Sequence, residues 1–136
     1  MKILEITNVD FSLRHFLLPL MRSQRAADLD LLSIDAYDAG SQFNPTEAFA
    51  AYRSVWAGRL ALGIEVQRTG GAGPFPSAEQ AEALARTVVR DPQGGMMLYP
   101  LLATPDADSG HLPTGSDLAR ALCRGLGSAA CDEGIH

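Results

Sequence analysis

The sequence predicts an α/β fold, a mostly parallel sheet with flanking helices, and three observations point there. Short runs rich in Ile, Leu and Val recur at Lys2–Thr7, Asp28–Tyr37, Leu60–Gln67 and Met96–Ala103. The first two mix their apolar residues enough to read as strands buried on both faces, as parallel sheets require. Between the runs, apolar residues fall at three- and four-residue spacing behind capping residues, which reads as amphipathic helix. The third observation is size: 136 residues, 46% hydrophobic and 20% charged, suit one domain with a real core. The expected boundaries are a single domain over 1–126 and a frayed tail over 127–136.

Each element has its own justification. After the strand at Lys2–Thr7, Asn8–Ser12 reads as a turn whose Asp10 or Ser12 caps a helix. Leu13, Phe16, Leu17, Leu20 and Met21 share one face of that helix, and Pro19 kinks it. The run D-L-D-L-L-S-I-D-A-Y at 28–37 is expected to pair parallel with the first strand, giving a βαβ unit. Asn44-Pro45-Thr46-Glu47 opens a second helix that continues through Phe49, Tyr52, Val55, Trp56 and Arg59. Tyr52 and Trp56 are expected core residues. Leu60–Gln67 follows as a strand with Leu62, Ile64 and Val66 on one face.

The loop T-G-G-A-G-P-F-P at 69–76 is the sharpest break in the chain. Ser77-Ala78-Glu79-Gln80 is a capping box for a helix to about Arg90, which D-P-Q-G-G stops. Pro100 marks the strand at Met96–Ala103 as an edge or a strand end. Ser116 is expected to cap a last helix carrying Leu118, Ala121, Leu122 and Leu126.

Charge and cysteine content exclude several classes. Eleven Lys and Arg against sixteen Asp and Glu give a net charge of −5, and the basic residues are scattered. Phosphate neutralisation needs a basic face, so no nucleic-acid partner is expected. No apolar run reaches the ~18 residues of a membrane span. Lys2 is followed at once by Glu5, Asn8 and Asp10, which is not a secretion-signal pattern, so the expected location is cytoplasmic. There, Cys123 and Cys131 are expected reduced. Their spacing with His136 fits no strong zinc pattern, and neither a metal nor another cofactor is expected.

Four places carry enough polar chemistry to weigh. The Asn8–Ser12 turn joins a strand to a helix N-terminus, where ligands of open α/β sheets gather. Asn8, Asp10, Phe11 and Ser12 are therefore the expected substrate-binding residues: Asp10 orients a hydroxyl and Phe11 stacks on a ring. His15, in the next turn, reads as a packing or surface residue. The G-G-A-G of residues 70–73 lacks the pattern of a phosphate loop and reads as a linker. Asp106, Asp108, Ser109 and His111 share a polar loop, in which His111 with Asp106 or Asp108 is a weaker acid–base alternative. No catalytic residue is assigned.

Residues Met1–Ala26 resemble the N-terminal strand–turn–helix of family 4 glycosyltransferases of GT-B fold. The likeness is carried by M-K-I-L-E-I-T-N at the strand, V-D-F-S at the turn and L-R-H-F-L-L-P-L-M-R-S-Q-R-A in the helix, its proline included. Where that family continues with G-H-E-V, this chain has Ala27-Asp28-Leu29-Asp30. The resemblance implies a partial Rossmann-like sheet and a glycosyltransferase-like, acceptor-side N-terminal domain or fragment. The family's donor domain carries an E-x-x-G-type motif and basic phosphate ligands, which this sequence lacks. Hexosyl transfer would then need a second, donor-binding domain, and the chain alone would not be catalytic. The Asn8–Ser12 turn would line the inter-domain cleft and meet a sugar or glycan acceptor.

Two alternatives stand beside that expectation. One is a small non-catalytic α/β association or binding protein, since Leu17, Leu18, Leu20 and Met21 give the first helix more apolar surface than one packing face needs; its partner would be a second copy. The other is a small hydrolase using His111 with Asp106 or Asp108.

Overall fold

A computed structural model describes residues 29–37, 40–67, 71–100 and 113–133, together with the backbone of 3–6. The elements are β1 (Ile3–Ile6), β2 (Leu31–Asp35), α1 (Pro45–Arg53), β3 (Arg59–Glu65), α2 (Ala78–Val88), β4 (Gly94–Tyr99) and α3 (Gly115–Gly125). Among the described residues they form one four-stranded sheet in the order β1-β2-β3-β4. All three pairings are parallel, with Leu4 opposite Leu32, Leu32 opposite Leu60 and Leu60 opposite Gly94. This is the α/β fold with a parallel sheet and flanking helices that the strand pattern predicts, a partial Rossmann-like arrangement.

The strand order has a consequence for the layers. Each described β–α–β step moves one strand further in the same direction. Right-handed crossovers then put α1 and α2 on one face of the sheet. The core has that form. Ala48, Phe49 and Tyr52 of α1 pack with Leu32, Ile34, Leu60 and Leu62 of the sheet. Ala81 and Ala85 of α2 and Leu118, Ala121 and Leu122 of α3 pack with Ile64 and Val66. Because side chains alternate along a strand, Ser33, Asp35, Ala61, Gly63, Glu65, Met97 and Tyr99 are left to the opposite face.

Local chemistry explains the element ends. Asn44 accepts backbone N–H bonds from Thr46 and Glu47, with Pro45 in the first turn of α1. Ser77 and Gln80 make the reciprocal capping box at the start of α2. For α3 the cap is Thr114, not Ser116: its hydroxyl accepts from the Asp117 N–H while the Asp117 carboxylate accepts from the Thr114 N–H. Helix α1 stops at Arg53 rather than running on to Arg59. The Arg53 guanidinium donates to the carbonyls of Trp56 (2.7 Å) and Gly58 (2.8 Å), and the Trp56 indole donates to the Arg59 carbonyl (2.8 Å). These bonds hold a turn in place of further helix. Tyr52 and Trp56 are buried, as their spacing predicts.

The cysteine expectation is corrected. Cys123 and Cys131 form a disulfide with Cα atoms 5.4 Å apart, inside the range a bridge requires. Gly127, at φ 78°, reverses the chain after α3 and returns Cys131 to a buried position. The bridge therefore ties Cys131 back to Cys123 of α3, while residues 127–130 between them are exposed.

Candidate functional site

Two acids sit where a sheet core should be apolar. Asp35 ends β2 and is 2% exposed; Glu65 ends β3 and is 0% exposed. Asp35 lies opposite Gly63 in the ladder, so Glu65 is two residues further along the neighbouring strand and on the same face. Strand spacing and rise place the two α-carbons about 8 Å apart on a diagonal. Burying ionisable groups is unfavourable unless they are well partnered. Proteins break the rule of an apolar core mainly at functional sites.

The surroundings of the pair are small or aromatic. On the same face, Met97 and Tyr37 pack closely over Gly63, and the Ser33 hydroxyl donates to the Met97 sulfur at 3.5 Å. Tyr99 is the register partner of Glu65 across β3 and β4. Tyr37, just past the end of β2, stacks on Tyr99 with ring centroids 5.6 Å apart and planes 13° from parallel. The loop after β3 closes in from one side: a Cβ on Gly71 would stand 3.4 Å from Glu65 Oε2 and 2.7 Å from Phe75 Cζ. The Gly73-Pro74 peptide is cis, and the Gly73 carbonyl accepts from the Gly40 N–H at 3.2 Å. The described part of the 69–76 segment, residues 71–76, is thus tied through Gly73 to the β2–α1 loop, although the segment reads as a plain linker.

A groove of about 600 Å³ opens on the helix-bearing side, between the first turns of α1 and α2. Phe43, Pro74, Phe75, Leu84, Gln80 and Thr87 line it with others, and among the described residues no titratable side chain does. It offers shape but no acid–base chemistry, so the acid pair is the better site. Among the described residues, no group of three His, Cys, Asp or Glu could hold a metal ion.

No family model, curated protein or solved structure matches the chain. The site therefore rests on its own geometry.

The site residues expected from the sequence, Asn8, Asp10, Phe11 and Ser12, lie outside the described residues, as do His15, Asp106, Asp108, Ser109 and His111. Asp35 and Glu65 were missed by the sequence reading, although a signal existed. In L-L-S-I-D and L-A-L-G-I-E-V an acid is embedded in, or closes, an otherwise buried strand run. Their chemistry becomes visible only when the ladder places one acid beside the other.

No helix among the described residues is long and apolar enough to cross a membrane.

Proposed function

We propose that the chain is a carbohydrate-handling α/β domain. Its sugar sits at the carboxyl edge of the sheet, and Asp35 and Glu65 are its proton-handling carboxyls. The observation that carries this reading is the placement of the two acids: one face, neighbouring parallel strands, carboxyl ends. In α/β sheets that edge is where ligands bind. Paired carboxyls flanked by aromatic rings suit a neutral, hydroxyl-rich ligand better than an anion.

The likeness of residues 1–26 to family 4 glycosyltransferases supports the sugar class and an acceptor-side role. In that role one carboxylate accepts the proton of an acceptor hydroxyl, which is general-base chemistry. The strand order favours a second reading. Sequential parallel strands with helices on one face are how an arc of a β/α barrel is built, and such barrels keep their catalytic groups at the carboxyl strand ends. On that reading the same pair would cleave a glycosidic bond, one carboxyl protonating the leaving oxygen and the other acting as base or nucleophile. The disulfide favours an oxidising compartment over the cytoplasmic placement expected from the sequence.

The test is product analysis with two substrate sets. One is a nucleotide-sugar with a panel of free oligosaccharide acceptors; the other is the same oligosaccharides alone. Transfer in the first supports the acceptor-side reading once a donor domain is supplied. Shortened oligosaccharides in the second support hydrolysis. Asp35→Asn and Glu65→Gln should each lower the observed activity at least about 100-fold, in the range of a lost acid–base group. Full activity in both variants would remove the acids from the mechanism.

A further inference from the structure

The face that carries the acids is concave. Two contacts on it pass over β3 and join strands that are not neighbours. The Ser33 hydroxyl of β2 reaches the Met97 sulfur of β4 at 3.5 Å, and the Tyr37 ring beyond β2 stacks on Tyr99 of β4 at 5.6 Å. In a flat sheet those two strands stand about 9–10 Å apart. Between the converging side chains β3 presents only Ala61 and Gly63. Helices α1 and α2 pack on the other, convex face. Parallel strands in sequential order, helices outside and a concave inner face are the arrangement of a β/α barrel. Such a barrel closes with eight strands, and four are present among the described residues.

The two outer strands each lack a second neighbour among the described residues. Strand β4, G-G-M-M-L-Y, carries neither a charge nor a proline, the usual blocks on an open edge. The Leu60 N–H donates to the Gln93 carbonyl and the Val66 N–H to the Tyr99 carbonyl. Alternate residues of a parallel strand serve one neighbour. Gly95, Met97 and Tyr99 therefore bond β3, while Met96 and Leu98 direct their backbone groups outward.

We infer that a second copy of this chain closes the barrel, β4 of each copy pairing parallel with β1 of the other. A twofold axis along the barrel makes both seams at once, because β1 and β4 run the same way and lie at opposite edges. A foreign strand could cover one edge. Closing the ring takes a partner with four parallel strands and two matching edges, which a second copy supplies. Each seam continues an existing ladder. Two seams with the facing inner surfaces reach the scale of a permanent interface, about 2,000 Å² or more. The carboxyl strand ends of both copies then surround one mouth, so each acid pair faces groups from the partner. Closure follows from strand order and curvature, whatever ligand the acids meet.

The test is sedimentation equilibrium of the full chain, with amide hydrogen exchange at high and low concentration. The expected species is a dimer in which the Met96 and Leu98 amides exchange slowly and lose that protection on dilution. Gly95→Lys puts a charge on the concave face of the edge strand, where a Cβ meets nothing within 4 Å. It should fold, and it should weaken dimerisation at least about tenfold by blocking the edge. Gly95→Ala keeps the face neutral and should dimerise as the parent does. Near-UV circular dichroism reports whether both variants keep the fold; if Gly95→Lys does not, amide exchange in the parent decides. A chain that stays monomeric at every concentration overturns the closure. So does a dimer whose Met96 and Leu98 amides exchange freely, or one that a folded Gly95→Lys leaves intact, since the contact then lies elsewhere. Trimers and longer series of copies would show edges that pair without closing, and would overturn the barrel.

Discussion

Tyr37, two residues past the end of β2, stacks on Tyr99 at the end of β4, and the Tyr37 ring also lies against Gly63 of β3, the strand between them. A Cβ at Gly63 would stand 3.1 Å from Tyr37 Cε1, 2.7 Å from Met97 Cε and 3.0 Å from the Ile34 carbonyl oxygen. The first is ring, the second the end of a flexible side chain, and the third is backbone. The missing side chain on β3 is therefore what lets the Tyr37 ring lie close over that strand and bridge to Tyr99.

Gly63→Ala is expected to destabilise the fold by roughly 1–3 kcal/mol, the usual range for overpacking a close-packed site. Met97 can move aside; the Tyr37 ring and the Ile34 carbonyl must shift as well. Chemical denaturation measures the stability, and near-UV circular dichroism reports the tyrosine stack. An unchanged near-UV spectrum with unchanged stability would show that Gly63 does not hold the bridge open.

Arg53→Met should destabilise by about 2–4 kcal/mol, since it leaves two part-buried carbonyls and a carboxylate without their donor. The carbonyls are those of Trp56 and Gly58, and the carboxylate is Asp91, which pairs with the Arg53 guanidinium. Arg53→Lys should recover only part of the loss, because an ammonium lacks the planar fork that reaches several acceptors at once. Urea melts of the three proteins rank them; equal midpoints for Lys and Met would mean that charge alone contributes nothing here.

The same arginine marks where the sequence stops being legible. Helix starts at Asn44-Pro45 and Ser77–Gln80 are readable because a cap is decided by residues within three positions of one another. The end of α1 is not, because it depends on Arg53 bonding the turn at Trp56 and Gly58. The parallel sheet follows from its strand pattern. The acid pair does not, because Asp35 and Glu65 are separated by thirty positions and become neighbours only through the register of β2 and β3. The disulfide is illegible for a different reason: compartment argues only for reduced thiols, whereas the pairing is decided by the turn at Gly127, which returns Cys131 to Cys123.

Removing the Cys123–Cys131 bridge, by reduction or as the double serine variant, should destabilise by roughly 2–3 kcal/mol from the closure entropy of a short loop. The bridge spans a sequence separation of 8 residues, and no free cysteine remains beside it. Alkylation followed by mass spectrometry should label neither cysteine in the unreduced, unfolded chain and both after reduction. Labelling of both before reduction would show that the thiols are not paired in the purified protein.

Helix α3 is held to α2 partly through charge, and this part of the stability should be lost in acid. Glu82 on α2 accepts from the Arg124 Nε of α3 at 3.1 Å and from Arg86 one turn along its own helix at 2.5 Å. The Arg124 hydrogen bond is the main cause that holds the Glu82 carboxyl below its ordinary value of 4.5, with Arg86 adding to it and partial desolvation opposing both. A carboxyl with a lowered folded-state pKa binds its proton more readily in the unfolded chain. Its contribution is complete above the ordinary value and disappears as pH falls through the lowered one. Glu82→Gln removes the titration while keeping the shape. The melting temperature of the parent should therefore exceed that of Glu82→Gln near neutral pH, and the gap should close as pH drops below 4.5. Because the three groups lie at the surface, added salt should narrow the gap at neutral pH as well. Melts of both proteins from about pH 3 to pH 7 decide the matter. A gap that stays constant through the acid range would assign the effect of the substitution to packing between α2 and α3. Gly125 already brings that contact so close that a Cβ there would stand 2.5 Å from the Glu82 carbonyl oxygen.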